Sequence, residues 1–313
     1  MEENNRFDMN TTNLRRPSNK VRDIERYCHT ELDSIYGKEE VGMFIRMLFE
    51  KYLGWNLTDL LIHKDKTVNQ SDLLRFHWAV EDLRRQRPIQ HIIGHTSFCG
   101  CHIDVDESVL IPRPETEELV YRIIQQYDSQ IKPRRILDIC TGSGCIAIAL
   151  KKQWTDAEVL AVDISPYALD KARHNAEINH ADICFIEADV LNIDAEKNFG
   201  NIPFNLIVSN PPYIREQEKQ EMQKNVLEYE PHQALFVSDE QPLVFYQSIV
   251  SVASKVLSNS GKLVFEINEA LGEEMLVLLR ENHFEGLSEI NLQKDFRGKD
   301  RFIFTTKSSS FNS

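Results

Sequence analysis

The sequence predicts an α/β protein: a doubly wound, mostly parallel seven-stranded sheet with an antiparallel edge pair, preceded by a small N-terminal helical bundle. Three observations carry this prediction. From residue 134 onward, short apolar runs alternate with helical patterns, the signature of βαβ units. Between about 21 and 90 the apolar spacing is helical throughout, with no strand-like alternation. Only 12 of the 313 residues are glycine, roughly half the share of about 7% usual in proteins. Two of these, Gly142 and Gly144, stand in a single three-residue window.

Residues 1–20 are polar and rich in Asn and Arg, and read as a disordered leader. The helical domain spans 21–91. In it Val41, Phe44, Ile45, Leu48, Phe49 and Tyr52 follow the i, i+3, i+4, i+7 rule. Ser71 is the expected N-cap of a helix carrying Leu74, Trp78 and Leu83 as core residues. Pro88 ends the bundle. Residues 92–111 mix β-branched, aromatic and Gly residues and read as a β-hairpin linker. The main domain spans 112–306. It opens with Pro112-Arg113-Pro114-Glu115-Thr116 ahead of a helix over 117–127, proline being suited to a helix's first turn. Strands are expected at 135–140, 158–163, 183–187, 204–209 and 262–267, with helices at 145–153, 166–178 and 243–258. The last runs, near 285–292 and 301–306, supply the antiparallel edge pair, and 307–313 form a tail.

With 36 Lys and Arg against 49 Asp and Glu, the formal charge is −13. That balance disfavours a nucleic-acid partner, whose phosphates are bound by Lys and Arg. No apolar stretch approaches the ~20 residues of a membrane span, and Met1 to Asn10 lack the basic and apolar regions of a signal peptide. A cytoplasmic, monomeric protein without membrane association is expected. The six cysteines form no CxxC pair, so reduced thiols and no metal site are expected.

In the window Arg135 to Ala147 a strand ends, a tight glycine turn follows and a helix begins. Glycines at such a turn let backbone pass close beneath a ligand. Asp163 closes the next strand, placed to accept hydrogen bonds from a ribose diol. Two cofactors suit this layout. Gly142-x-Gly144-x-x-Ala147 meets the loose dinucleotide fingerprint, but a pyrophosphate at the helix N-terminus would be repelled by Asp138. S-adenosyl-L-methionine carries an ammonium and a sulfonium, which suit an acid there.

A second window narrows the chemistry. The strand at 204–209 runs into Asn210-Pro211-Pro212-Tyr213, at the strand end where open α/β sheets bind ligands. Two prolines fix two φ angles and remove two N–H donors. Acceptors remain: the Asn210 side-chain oxygen and the Pro211 carbonyl. Together they are suited to pin both hydrogens of a planar NH2 group, with Tyr213 stacked on it.

Taken together, the two windows resemble the class I S-adenosylmethionine-dependent methyltransferases, which have a Rossmann-like fold, and more closely the release factor glutamine methyltransferase family. The resemblance covers roughly 21–306. It includes Pro88 to Gly94 with Phe98, Leu110 to Glu117, Asp138 to Gly144, Asn210 to Tyr213, Glu230-Pro231 with Ala234-Leu235, and Asp295, Arg297, Gly298 and Arg301. Arg113 to Glu117 is the more specific segment, because the Asn-Pro-Pro-Tyr motif is shared with adenine N6 and guanine N2 methyltransferases and with ribosomal-protein glutamine methyltransferases.

The resemblance implies methylation of the side-chain amide nitrogen (N5) of the glutamine in the Gly-Gly-Gln loop of peptide chain release factors, with S-adenosyl-L-homocysteine as by-product. It implies that Cys140, Thr141, Gly142, Ser143 and Gly144 cradle the methionine part of the cofactor, joined by Asp138 and Asn210. Asp163 would bind the ribose, Asp189 and Val190 would border the adenine, and Asn210, Pro211, Pro212 and Tyr213 would hold the substrate glutamine. The helical domain is assigned to recognising the protein partner. The chain departs from the family pattern at Cys140, Val190, Ser238 to Pro242, Asn268 and Leu271.

Overall fold

The computed structural model describes residues 18–127, 131–281 and 287–308. Most of the predicted leader, the tail from 309 and the first two residues of the run predicted at 285–292 lie outside the described residues. The chain divides into two compact units, Met1–Ile93 and Gly94–Ser313.

The first unit is helical: α1 (Val21–Tyr36), α2 (Lys38–Leu53), α3 (Leu57–Ile62), α4 (Gln70–Arg84) and α5 (Ile89–Ile93). Its core is Val21, Ile24, Cys28 and Leu32 of α1, the predicted α2 stripe from Val41 to Phe49, and Leu73, Phe76, Val80 and Leu83 of α4. Two details correct the sequence reading. Asn69, not Ser71, caps α4; its side-chain oxygen accepts from the Asp72 amide at 2.8 Å. The inward stripe of α4 therefore runs through 73, 76, 80 and 83. Leu74 and Trp78 fall on the adjacent face, and Trp78 is 63% exposed.

The second unit opens with a hairpin, β1 (His95–Phe98) and β2 (Cys101–Asp104). Its two-residue turn, Cys99-Gly100, has φ of 48° and 74°, the left-handed pair that matches strand twist. There follow α6 (Pro114–Gln126), β3 (Arg135–Ile139), α7 (Cys145–Gln153), β4 (Glu158–Asp163), α8 (Pro166–Ile178), β5 (Cys184–Glu187), α9 (Ala195–Phe199) and β6 (Phe204–Ser209). A short parallel pair, β7 (Ile214–Arg215) and β8 (Phe236–Val237), flanks α10 (Lys224–Tyr229). The chain then forms α11 (Val244–Val256), β9 (Leu257–Glu266), α12 (Gly272–Glu281), β10 (Leu287–Lys294) and β11 (Asp300–Lys307). No helix was expected where α12 lies.

The seven-stranded sheet has the order β10-β11-β9-β6-β3-β4-β5. The five strands from β9 to β5 pair in parallel, and β11 is antiparallel to both β9 and β10. Side chains alternate between two apolar layers. Ile136, Leu206, Val208 and Val264 face one; Leu137, Ile139, Ile207, Leu263 and Phe265 face the other. Burial on both faces explains why these strands read as continuous apolar runs. The winding direction reverses at β3, which has β6 on one side and β4 on the other. A crevice beyond the carboxyl ends of these strands is the natural ligand site of such a sheet.

Helix α8 closes the outer edge of β2 in an unusual way. Asn175 accepts from the Asp104 amide at 2.9 Å and donates to the Asp104 carbonyl at 3.0 Å. Asn179 does the same to His102, at 3.2 and 2.6 Å. Four residues of helix rise about 6 Å and two residues of strand about 6.6 Å, so two carboxamides one turn apart match alternate strand residues. Asn175 is fully buried and also donates to the Ser143 carbonyl at 2.9 Å. Replacing it with Leu removes the partner of three backbone groups, one of them buried and two partly buried. Asn175→Leu is expected to cost roughly 2–4 kcal/mol of unfolding free energy in urea titrations. A loss well below 1 kcal/mol would show that the carboxamide pairing is dispensable.

Candidate active site

The loop from Cys140 to Gly144 joins β3 to α7. Three of its five residues have left-handed backbone: Cys140 at φ 61°, Gly142 at 54° and Gly144 at 81°. Gly144 needs glycine twice over, since a Cβ there would lie 3.1 Å from the Ala172 Cβ. Cys140 holds its conformation without being glycine, at a backbone cost of about 1–2 kcal/mol. Loop hydrogen bonds fix the turn. Thr141 N–H donates to the Val162 carbonyl at 2.9 Å, and Gly144 N–H to the Thr141 carbonyl at 2.9 Å.

Two acids brace this loop from below. Asp138 is fully buried in β3, and its Oδ2 accepts from the Thr141 hydroxyl at 2.6 Å. Its Oδ1 is buried without a hydrogen-bond partner among the described residues. Burial pushes the Asp138 carboxyl up to about 7, against a weaker downward pull from Thr141. Asp163, at the end of β4, accepts from Gly142 N–H at 2.8 Å and Ser165 N–H at 3.0 Å. Burial raises its pKa, and those amides offset part of the rise.

The loop faces a cavity of about 330 Å³ at the carboxyl ends of β3, β4 and β6. Of the sequence-predicted site residues, Cys140, Thr141, Gly142, Ser143, Asp163, Asp189, Val190, Asn210 and Pro212 line it. Asp138, Gly144, Pro211 and Tyr213 are not among its lining residues; the first two support the loop from behind. Asp189 forms its own turn by accepting from Leu191 N–H at 2.9 Å and Asn192 Nδ2 at 2.7 Å, which presents Val190 to the cavity.

The opposite wall joins two segments far apart in sequence. Leu110 and Pro112 line the cavity with Pro231, Gln233 and Ala234. The buried Glu230 carboxylate clamps these segments together, accepting from Arg113 at 2.6 Å and from Ile111 N–H at 3.2 Å. Arg113 and Glu230 are therefore partners across this wall.

Behind Asn210 stands a polar network with no counterpart in the sequence reading. Asn210 Nδ2 donates to Thr116 Oγ1 at 3.2 Å, and Thr116 donates to Glu266 Oε2 at 2.7 Å. Tyr213 donates its hydroxyl to Glu266 Oε1 at 3.0 Å. Burial raises the Glu266 carboxyl, against the hydroxyls and the Arg301 guanidinium. Its sequence signals were the polar Glu266 directly after the apolar run Leu263-Val264-Phe265 and the Arg113 to Glu117 segment that contains Thr116. Asn268, a departure from the family pattern, donates to the Tyr213 carbonyl at 3.1 Å and so tethers the end of the Asn-Pro-Pro-Tyr motif.

The donor set selects the ligand's charge. Among the described residues lining the cavity none is Lys, Arg or His, whereas two, Asp163 and Asp189, are acidic. This wall suits a cationic cofactor and gives no purchase to a pyrophosphate. At Gly142 a Cβ would meet no atom within 4 Å, so bare backbone faces the open space. S-adenosylmethionine, which carries an ammonium and a sulfonium and no phosphate, fits these features.

Residues 116–235 match the methyltransferase small domain, and residues 34–94 match the PrmC N-terminal domain. Fold, cavity and this match together define an S-adenosylmethionine-dependent methyltransferase. A release factor glutamine methyltransferase from Flavobacterium psychrophilum is 45% identical over 87% of this chain and 94% of its own length. One from Bacteroides thetaiotaomicron is 41% identical, over 90% of this chain and 98% of its own. The chain belongs to the release factor glutamine methyltransferase family. Among solved structures it is similar to a human methyltransferase 10 domain containing protein, at 18% identity and TM-score 0.48, over 67% of this chain and 88% of that one. No helix among the described residues is long and apolar enough to cross a membrane.

The buried Asp138 makes a prediction with a definite sign. Its folded pKa of about 7 lies above the ordinary value of 3.8, so its contribution is most favourable below the ordinary value. It is lost as pH rises toward the folded one. Asp138→Asn keeps an acceptor for Thr141 and removes the titration. Thermal unfolding from pH 4.5 to 7.5 should show the variant gaining on the wild type as pH rises. Any fixed effect of the amide is the same at every pH, so parallel curves would refute the assignment.

Proposed function

We propose that this enzyme methylates the side-chain amide nitrogen, N5, of the glutamine in the Gly-Gly-Gln motif of peptide chain release factors. The observation that carries the reading is the Asn210 carboxamide. Its nitrogen is spent on Thr116, which leaves its oxygen as an acceptor on the cavity wall, in a family whose curated relatives bear the name release factor glutamine methyltransferase.

S-adenosylmethionine, when bound, supplies an electrophilic methyl group and leaves as S-adenosylhomocysteine. Cys140 to Gly144 hold its methionine part and Asp163 its ribose; Asp189 and Val190 border the adenine. The protein's task is then to orient a poor nucleophile, since an amide lone pair is delocalised into its carbonyl. Asn210 Oδ1 and the Pro211 carbonyl accept hydrogen bonds from the amide NH2 and aim the nitrogen, and one of its two protons is lost during or after the N–CH3 bond forms. Two such restraints convert an encounter into a defined approach, and positioning of this kind supplies several kcal/mol. Pro212 stiffens the motif, and Tyr213, tied to Glu266, fixes its far end. The helical unit recognises the release factor, in the cytoplasm. The lack of cationic side chains among the described lining residues argues against a nucleic-acid substrate at this site.

Mass spectrometry of a release factor co-expressed with the enzyme should show one added methyl on the Gly-Gly-Gln peptide; an unmodified glutamine would reject the reading. Asn210→Ala is expected to lower turnover by a factor of at least about 10², with cofactor affinity within about threefold of wild type by calorimetry. Asp163→Ala should instead weaken cofactor binding, and unchanged affinity would remove its ribose role.

A further inference from the structure

We propose that Thr116 and Glu266 are positioning residues that fix which edge of the Asn210 carboxamide faces the substrate. The inference rests on the reaction proposed above and deepens it. An asparagine side chain is nearly symmetric in shape but not in chemistry. Rotated by half a turn, it would offer an NH2 group where the substrate's own NH2 must be received. An Asn alone therefore does not specify an acceptor; something behind it has to.

Thr116 and Glu266 behind the motif, with the motif's own Tyr213, make that choice by elimination. Glu266, 1% exposed at the end of β9, has each carboxylate oxygen taken by a hydroxyl: Thr116 on Oε2 at 2.7 Å and Tyr213 on Oε1 at 3.0 Å. Both hydroxyls donate to it, Thr116 to Oε2 and Tyr213 to Oε1. Thr116, 3% exposed in the first turn of α6, has one hydroxyl hydrogen, and Glu266 takes it. Only lone pairs remain toward Asn210. The carboxamide must then present its nitrogen to Thr116, as the 3.2 Å contact shows, and its oxygen is turned to the other side. A flipped carboxamide would set oxygen against oxygen in a buried setting, where unpaired polar atoms are costly. The network spans three elements: Thr116 lies 94 residues from Asn210 and 150 from Glu266.

Thr116→Val keeps the side chain's shape and removes the hydroxyl; Thr116→Ser restores it. With the full chain and a release factor as substrate, Thr116→Val should lower kcat by roughly 10- to 100-fold. KM for the release factor and S-adenosylmethionine affinity should stay within about threefold, and Thr116→Ser should recover kcat to within about threefold of wild type. Thr116 also lines the cavity, so the affinity measurement separates orientation from a contact with cofactor. Nuclear magnetic resonance of asparagine-labelled protein bound to S-adenosylhomocysteine supplies a readout independent of turnover. The Asn210 NH2 signals should be protected from solvent exchange in the wild type and in Thr116→Ser, and lose that protection in Thr116→Val. Wild-type kcat with unchanged Asn210 signals in Thr116→Val would overturn the proposal. So would a loss of cofactor affinity that matches the loss of kcat. If the wild-type enzyme leaves the release factor unmethylated, the proposed reaction fails, and the Asn210 signals still decide the orientation.

Discussion

Burying a carboxylate is expensive unless donors are built around it, and this edge of the sheet is organised by meeting that demand repeatedly. Asp138 takes the Thr141 hydroxyl, Asp163 takes the Gly142 and Ser165 amides, Glu230 takes Arg113 and the Ile111 amide, and Glu266 takes Thr116 and Tyr213. Each acid captures one segment of irregular chain and holds it against a rigid strand end or wall. The glycine loop, the start of α6 and the Asn-Pro-Pro-Tyr motif are thereby anchored by side chains in addition to the few backbone hydrogen bonds they make. Among the described residues, a cavity wall containing acids but no bases follows from the same arrangement, and such a wall suits a positively charged ligand.

The parts of this architecture that lie close in sequence were legible in it. The strand, glycine turn and helix over 135–153 announce themselves by a change of period around two glycines. Asn210 to Tyr213 stand at the end of an apolar run, which puts them at the ligand-binding edge. The five parallel strands read as apolar runs because both faces are buried. Where local patterning gave two answers, the reading slipped. Leu74 and Trp78 share a helical spacing with the core residues of α4 and yet lie outside it, because the Asn69 cap sets the helix's start and the packing of α1 and α2 selects the 73, 76, 80, 83 stripe.

The long-range pairings were not legible at all. Arg113 meets Glu230 and Thr116 meets Glu266 only because α6 and the segments after β6 and β9 gather at the same edge of a doubly wound sheet. No periodicity encodes that meeting. The departures from the family pattern became intelligible only in three dimensions: Asn268 has an ordinary extended backbone and uses its side chain to hold the Tyr213 carbonyl, whereas Cys140 occupies a left-handed conformation that glycine would adopt freely.

The carboxamide of Asn175 reaches two places at once: the backbone of Asp104, which leads into the segment bearing Val109, Leu110 and Pro112, and the Ser143 carbonyl in the glycine loop. These are separate walls of the same cavity. Tied to one small planar group, they share a pivot and lose an independent degree of freedom. The separation of the two walls is therefore set by the reach of the Asn175 carboxamide rather than by either loop alone.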